Sequence, residues 1–242
     1  MAIAGVDGCK KGWLMIKYDN DRYTYAVHEN FTGLIGAHSD LQRIFIDIPI
    51  GLSSDDFIRT VESSLRKELP GRQSTVFNPP CREALKFTDY ESAKSINQKT
   101  EGKSLSIQSF FISSKIKEVD DFLLKGNRQL EIYESHPELC FKYLNPPQQV
   151  LLTKKSKNEG IKDRLAILEK YDPEISPLYH DILGNTQRKD VKKDDIVDAI
   201  CLCLANRLAG PAGLSFIKDK QARDDAGIDI KIAYYKLPLT RK

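Results

Sequence analysis

The sequence predicts an α/β fold whose mixed sheet opens with an antiparallel meander, continues with parallel strands and is flanked by helices. Three observations predict it. Apolar runs at Ala2 to Val6, Leu14 to Tyr18 and Tyr23 to Val27 follow one another across short, turn-rich connections, of which Asp19-Asn20-Asp21 is the clearest. Arg43 to Ile48 is a nearly continuous apolar run, the pattern of a strand buried on both faces. Beyond it, segments of helical periodicity dominate and only isolated strand-like runs return.

Taken in order, Phe31 to Ala37 reads as a short helix between the meander and the buried strand, and Pro49 limits that strand because proline cannot donate to a ladder. Residues 53 to 128 read as mostly helical. Phe57, Val61 and Leu65 share one helix face that Pro70-Gly71 ends, and Thr88 with Glu91 matches a capping box. Ile107, Phe110, Phe111, Val119 and Leu123 stripe one further helix stopped by Gly126. Leu130 to Glu134 reads as a strand, Gly160 to Tyr171 as an amphipathic helix, Asp194 to Leu208 as an apolar helix stopped by Gly210, and Ile228 to Tyr235 as an edge strand. A meander followed by two strands parallel to the first is the order of a ribonuclease H-like fold. At 242 residues the expectation is one such domain over 1–242, with a helical insertion over about 53–128.

Hydrophobic residues make up 40% and aromatics 9%, enough for a sizeable core. A net charge of +3 permits contact with nucleic acid without arguing for it. Lys154, Lys155, Lys157, Lys162 and Arg164 read as a solvated surface; Arg188, Lys189, Lys192 and Lys193 run directly into acidic residues. The N-terminus lacks the pattern of a secretory signal, and no stretch approaches the ~20 apolar residues of a membrane span. The five cysteines fit no zinc spacing and read as core thiols of a cytoplasmic protein.

Four carboxylates stand out by context. Asp7 ends the first apolar strand, Asp47 interrupts FIDIPIG, Glu134 ends LEIYE, and Asp198 interrupts IVDAICLCLA. A buried carboxylate needs a partner, a proton or a metal, and ligand sites in α/β sheets gather at the carboxyl ends of strands. Asp195 is three residues before Asp198 and Asp194 four before it, so they share a helix face. For Asp194 and Asp195 the helix dipole offers a structural explanation, but that effect fades within the first turn and does not reach Asp198. Hard cations such as Mg²⁺ take oxygen ligands of this kind.

Other chemistries are thin. There is no G-x-S-x-G elbow and no phosphate-binding G-x-x-x-x-G-K loop. His136 in ESHPE reads as a hydrogen-bonding loop residue. Lys10, in the turn Asp7-Gly8-Cys9-Lys10-Lys11-Gly12, and the loop Gly71 to Arg82, with Arg72, Ser74, Thr75 and Arg82, offer donors suited to phosphate. Gln108 is a further candidate contact.

GVDGCKKGW, FIDIPIGL, GRQSTVF-x-PP-x-R, GKSLSIQ, ESHPELCF and DDIVDA, in that order over most of the chain, resemble the motifs of the domain-of-unknown-function 429 family, whose members are often labelled nucleases of the ribonuclease H fold. Lys11 stands where the family pattern has the first glycine of GCKGGW. The resemblance implies the fold and the acidic positions Asp7, Asp47, Glu134, Asp195 and Asp198. DDIVDA also resembles the closing helix of Holliday-junction resolvases.

The expectation is a nuclease that hydrolyses phosphodiester bonds of DNA or RNA with Mg²⁺ or Mn²⁺. Asp7, Asp47, Glu134, Asp195 and Asp198 would hold a metal pair, and Lys10, Arg72, Ser74, Arg82 and Gln108 would contact substrate. Two alternatives stand beside it: a nucleotide-binding phosphotransferase or ATPase of the actin and sugar-kinase type, and a non-catalytic nucleic-acid-binding domain.

Overall fold

In the computed structural model, which describes residues 1–126 and 129–236, the sheet has seven strands in the order β3-β2-β1-β4-β5-β7-β6. Strands β1 (Ala2–Cys9), β2 (Gly12–Asp19) and β3 (Arg22–His28) form the antiparallel meander. Asn20 and Asp21 both take positive φ, 47° and 59°, the backbone of a two-residue hairpin turn whose twist suits the flanking strands. Strand β4 (Leu41–Ile46) pairs parallel to β1, and β5 (Glu131–Glu134) parallel to β4. This is the ribonuclease H-like order expected from the sequence.

The chain divides into two compact units. The first comprises Met1–Asp47, Arg128–Phe216 and Ala233–Lys242, and the second Ile48–Asn127 and Ile217–Ile232. The helical segment expected over 53–128 falls in the second unit as far as residue 126; its last two residues lie outside the described residues.

In the first unit, helices α1 (Phe31–Ala37), α6 (Pro137–Leu144), α7 (Asn158–Leu168), α8 (Ile175–Asn185) and α9 (Lys193–Ala209) accompany the sheet. The core gathers Leu14, Phe45, Phe141, Leu165 and most of α9. Helix α9 lies on β1 backbone to backbone, because a Cβ at Gly5 would fall 2.1 Å from the Cys203 amide nitrogen and 2.4 Å from the Ala199 carbonyl oxygen. Near the other end of α9, Arg43 donates to Asn206 Oδ1 (2.5 Å) and to the Asn206 carbonyl (2.7 Å). Asn206 Nδ2 donates in turn to the carbonyls of Ala4 (2.9 Å) and Arg43 (3.1 Å). Both polar side chains are buried and hydrogen-bonded, as burial demands.

The second unit contains α2 (Val61–Glu68), α3 (Tyr90–Glu101), α4 (Ile107–Phe111) and α5 (Ser113–Leu124). Its elements depart from the sequence pattern in three places. Phe57 is buried but precedes the helix, because Asp219 Oδ2 accepts from the amides of Thr60 (2.6 Å) and Val61 (2.7 Å) and so fixes the helix start. The cap of α3 is Asp89, whose carboxylate accepts from the Ser92 amide at 2.8 Å, one residue later than the Thr88 capping box. The single helix expected from Ile107 to Leu123 breaks at Ile112. There Ser109 Oγ donates to the Asn78 carbonyl (2.7 Å) and Ser113 Oγ to the Ser109 carbonyl (3.1 Å), bonds that compete with a regular ladder.

Strands β6 (Leu214–Arg223) and β7 (Asp229–Tyr235) complete the sheet. The alternation of Ile228 to Tyr235 suggested an edge strand, yet β7 lies between β5 and β6. The edge is β6, whose charged KDKQAR half hid it from the apolar pattern while suiting it to an edge. Among the described residues no helix is long and apolar enough to cross a membrane. The five cysteines are free and buried, with Cys203 pushed up to about 12 by burial, in keeping with core thiols.

Candidate functional site

Three parallel strands deliver acids to one edge of the sheet in the first unit. Val6 of β1 pairs with Ile46 of β4, which pairs with Glu134 of β5, and the Asp47 amide donates to the Val6 carbonyl at 3.1 Å. Asp7, Asp47 and Glu134 therefore stand at neighbouring carboxyl ends. Asp198 arrives from α9, one residue before the Ala199 carbonyl that packs on Gly5.

Asp7 is 8% exposed and its Oδ1 accepts from the Gly8 amide at 2.9 Å. Burial first, and then the negative charges of Asp47, Asp198 and Asp195, push its carboxyl well above the ordinary carboxylate range, while Lys155 opposes them. Burial also raises Asp47; His136 and Lys155 hold it down and Glu138 pushes it up. Asp198 is 1% exposed, and its carboxyl is pushed up to about 6 by burial, with Asp47 and Glu138 adding to the rise and Lys155 resisting it. Asp195 is raised too, mainly by burial, although its Oδ2 accepts from the Lys192 amide at 2.8 Å and so caps α9.

The positive charge in this cluster belongs to Lys155. Its Nζ sits 2.5 Å from Asp198 Oδ2, and Asp198, Asp7 and Asp47 together hold the ammonium in its charged form far above its ordinary range. Its place is set by the backbone around it. Arg164, fully buried, donates to the Thr153 carbonyl at 3.2 Å and the Gly160 carbonyl at 3.0 Å, and pairs with Glu138 at 2.6 Å. A Cβ at Gly160 would lie 2.1 Å from the Lys154 carbonyl. The basic cluster that the sequence suggested was a solvated surface therefore sends Lys155 and Arg164 inward. Lys155 and Glu138 are the charges that sequence reasoning missed. The signal for Lys155 was the cost of the acids themselves, which called for a cation.

Asp198 Oδ2 has Lys155, but Asp198 Oδ1 is buried with no hydrogen-bond partner among the described residues. Among the described residues, no group of three or more His, Cys, Asp or Glu is placed to hold a metal ion. The donor chemistry does suit one: hard carboxylate oxygens, one of them unmet, in a shared negative field.

The candidate substrate contacts separate. Lys10 is exposed in the β1–β2 turn beside Lys11, and the glycine kept there, Gly12, has φ +133°. Arg72 is half-buried. In the second unit, Arg82 donates to both oxygens of Asp120 (2.9 and 2.8 Å) and to Asp224 Oδ2 (2.6 Å), so its fork is engaged by buried acids rather than presented for phosphate. Ser74 and Gln108 line one cleft of the second unit.

A search of curated proteins and one of solved structures each found no match. The family model described as "Protein of unknown function (DUF429)" matches residues 5–222. That span takes in the three strand-end acids, Lys155 and the whole of α9, and the chain belongs to the DUF429 family.

Proposed function

We propose that the chain is a divalent-metal-dependent nuclease that hydrolyses phosphodiester bonds in nucleic acid, with Mg²⁺ or Mn²⁺ as cofactor. One observation carries the reading. Asp198 is almost fully buried on an apolar helix with one oxygen unmet, in the same negative field as Asp7 and Asp47. An acid kept for structure alone would have both oxygens satisfied, since an unmet buried acceptor costs about 1–3 kcal/mol. Carboxylates that raise one another form an arrangement that a divalent cation relieves.

Asp7, Asp47 and Asp198 would hold the metal, with Asp195 adding negative charge beside Asp7; Glu134, expected among the ligands, pairs level with Ile46, one residue short of Asp47. When bound, the metal would supply Lewis-acid polarisation of a phosphoryl oxygen and would make a water acidic enough near neutral pH to attack the phosphorus. The chain's own residues do the rest. Lys155 balances the acids in the folded chain, and its three N–H donors serve either Asp198 or an anionic substrate oxygen. Lys10, in the same unit as the acids, offers a further cationic contact to the phosphate backbone.

The test is a panel of labelled DNA, RNA and junction substrates with Mn²⁺, comparing wild type with Asp7→Asn and Asp198→Asn. Cleavage by wild type that both variants lose supports the reading. Intact nucleic-acid affinity with no cleavage of any substrate would make the chain a binding domain instead.

A further inference from the structure

A cleft of about 240 Å³ lies in the second unit, with walls from α2, the segment 74–79, the end of α3 and the start of α4. It is smaller than the roughly 300–1,000 Å³ pockets of drug-sized ligands, a scale suited to one planar ring and its substituents. Its walls are fixed. Asn97, 2% exposed, accepts from the Cys81 amide at 2.8 Å and donates to the Lys103 carbonyl at 3.0 Å. Ser109 Oγ ties α4 to the Asn78 carbonyl at 2.7 Å and meets Ser106 Oγ at 2.8 Å.

Three kinds of group face this space. Phe77 is an aromatic ring left 37% exposed at the cleft. Gln108 and Ser74 are exposed and their side chains make no hydrogen bond among the described residues. Arg66 and Lys103 supply positive charge; Arg66 uses Nη2 for the Val76 carbonyl (2.9 Å) and Asn78 Oδ1 (2.7 Å) and keeps its other donors. Glu101 also lines the cleft.

We propose that this cleft binds one unpaired nucleotide of a single strand. Phe77 stacks on the base, Gln108 and Glu101 meet its polar edge, and Arg66 with Lys103 takes the adjoining phosphate. An exposed ring, an uncommitted amide and paired cations form the combination by which single strands are held, because every base has a stacking face while only its edge carries donors and acceptors. The choice of nucleotide as ligand rests on the nuclease reading; the cleft and its lining do not.

The experiment is a titration, by fluorescence anisotropy in EDTA, of a short labelled single strand and of the duplex made with its complement. Wild type should prefer the single strand. Phe77→Ala should weaken that binding about tenfold or more, Phe77→Trp should keep it, and Gln108→Ala should weaken it less, all with unchanged melting temperatures. Equal single-strand affinity in wild type and Phe77→Ala overturns the inference, as does a preference for duplex that no cleft variant alters. Failure of the nuclease reading looks different: Phe77-dependent binding persists while no substrate is cleaved in Mn²⁺.

Discussion

Asp224 in the second unit and Asp198 in the first are equally hidden from solvent, and they could hardly be treated more differently. Asp224 has both oxygens saturated. Its Oδ2 accepts from the Leu52 amide (3.0 Å) and from Arg82 (2.6 Å), and its Oδ1 from the amides of Ala226 (3.0 Å) and Ile228 (2.9 Å). Asp198 has one lysine on one oxygen and, among the described residues, no hydrogen-bond partner on the other. Burial of an acid thus says little by itself. The count of satisfied oxygens separates an acid that holds a fold together from one kept in tension with its neighbours.

The largest effect should come from the saturated acid. Asp224→Ala leaves Arg82 one acid short and three amides without their acceptor, and should lower unfolding free energy by about 3–5 kcal/mol, read by urea denaturation. A loss under about 1 kcal/mol would erase the contrast. Next comes the metal. Mn²⁺ at a hundredfold excess over its dissociation constant should stabilise the wild type by ~2.7 kcal/mol, seen as a raised melting temperature, and Asp198→Asn should lose most of that response. Equal shifts in both proteins would remove α9 from any metal site.

The pH dependence is smaller and has a definite sign. The folded-state carboxyl of Asp198 lies at about 6, above its ordinary 3.8, so the folded chain binds this proton more tightly than the unfolded chain. The stability it contributes is present below about pH 4 and lost as pH rises through 6. Asp198→Asn removes that loss, so its stability relative to wild type should climb, by at most about 1.4 kcal/mol per pH unit, across this window and stay level above it. Unfolding curves at pH 4, 5, 6 and 7 check it; a flat difference would mean that burial does not raise the Asp198 carboxyl. Smallest of all, Lys155→Gln should cost the apo protein about 1 kcal/mol, because its side chain is 38% exposed and water screens the pair. The same variant should strengthen the Mn²⁺ response, since the competing ammonium is gone.

What the sequence made legible follows from range. The meander was readable because hairpin strands and their turn are local, and Asp7, Asp47 and Asp198 were readable because a charge inside an apolar run is anomalous wherever it lands. Asp219 and Asp224 were not, since they lie in charged stretches and each accepts from an amide more than 150 residues away. Arg82 looked like a phosphate ligand for the same reason: its two acids are distant in the chain. Helix α6 was lost behind His136-Pro137, which reads as a loop although proline at the first helical position is favourable. Lys155 was hidden because a basic run before a helix looks like solvated surface until the loop is pinned by Arg164.

A helix that is apolar on nearly every side, as α9 is, has little in its own sequence to fix its phase about its axis; greasy packing tolerates rotation. Asn206 removes that freedom, because its amide meets its partners on β1 and β4 at only one angle. It lies two turns past Asp198, about 12 Å along the axis at 1.5 Å per residue. Since one residue is about 100° of arc, a small slip there would swing the carboxylate out of register with Asp7 and Asp47. The Asn206–Arg43 pair therefore works as an indexing pin, and wear on it would be felt first as misalignment of charges at the far end of the shaft.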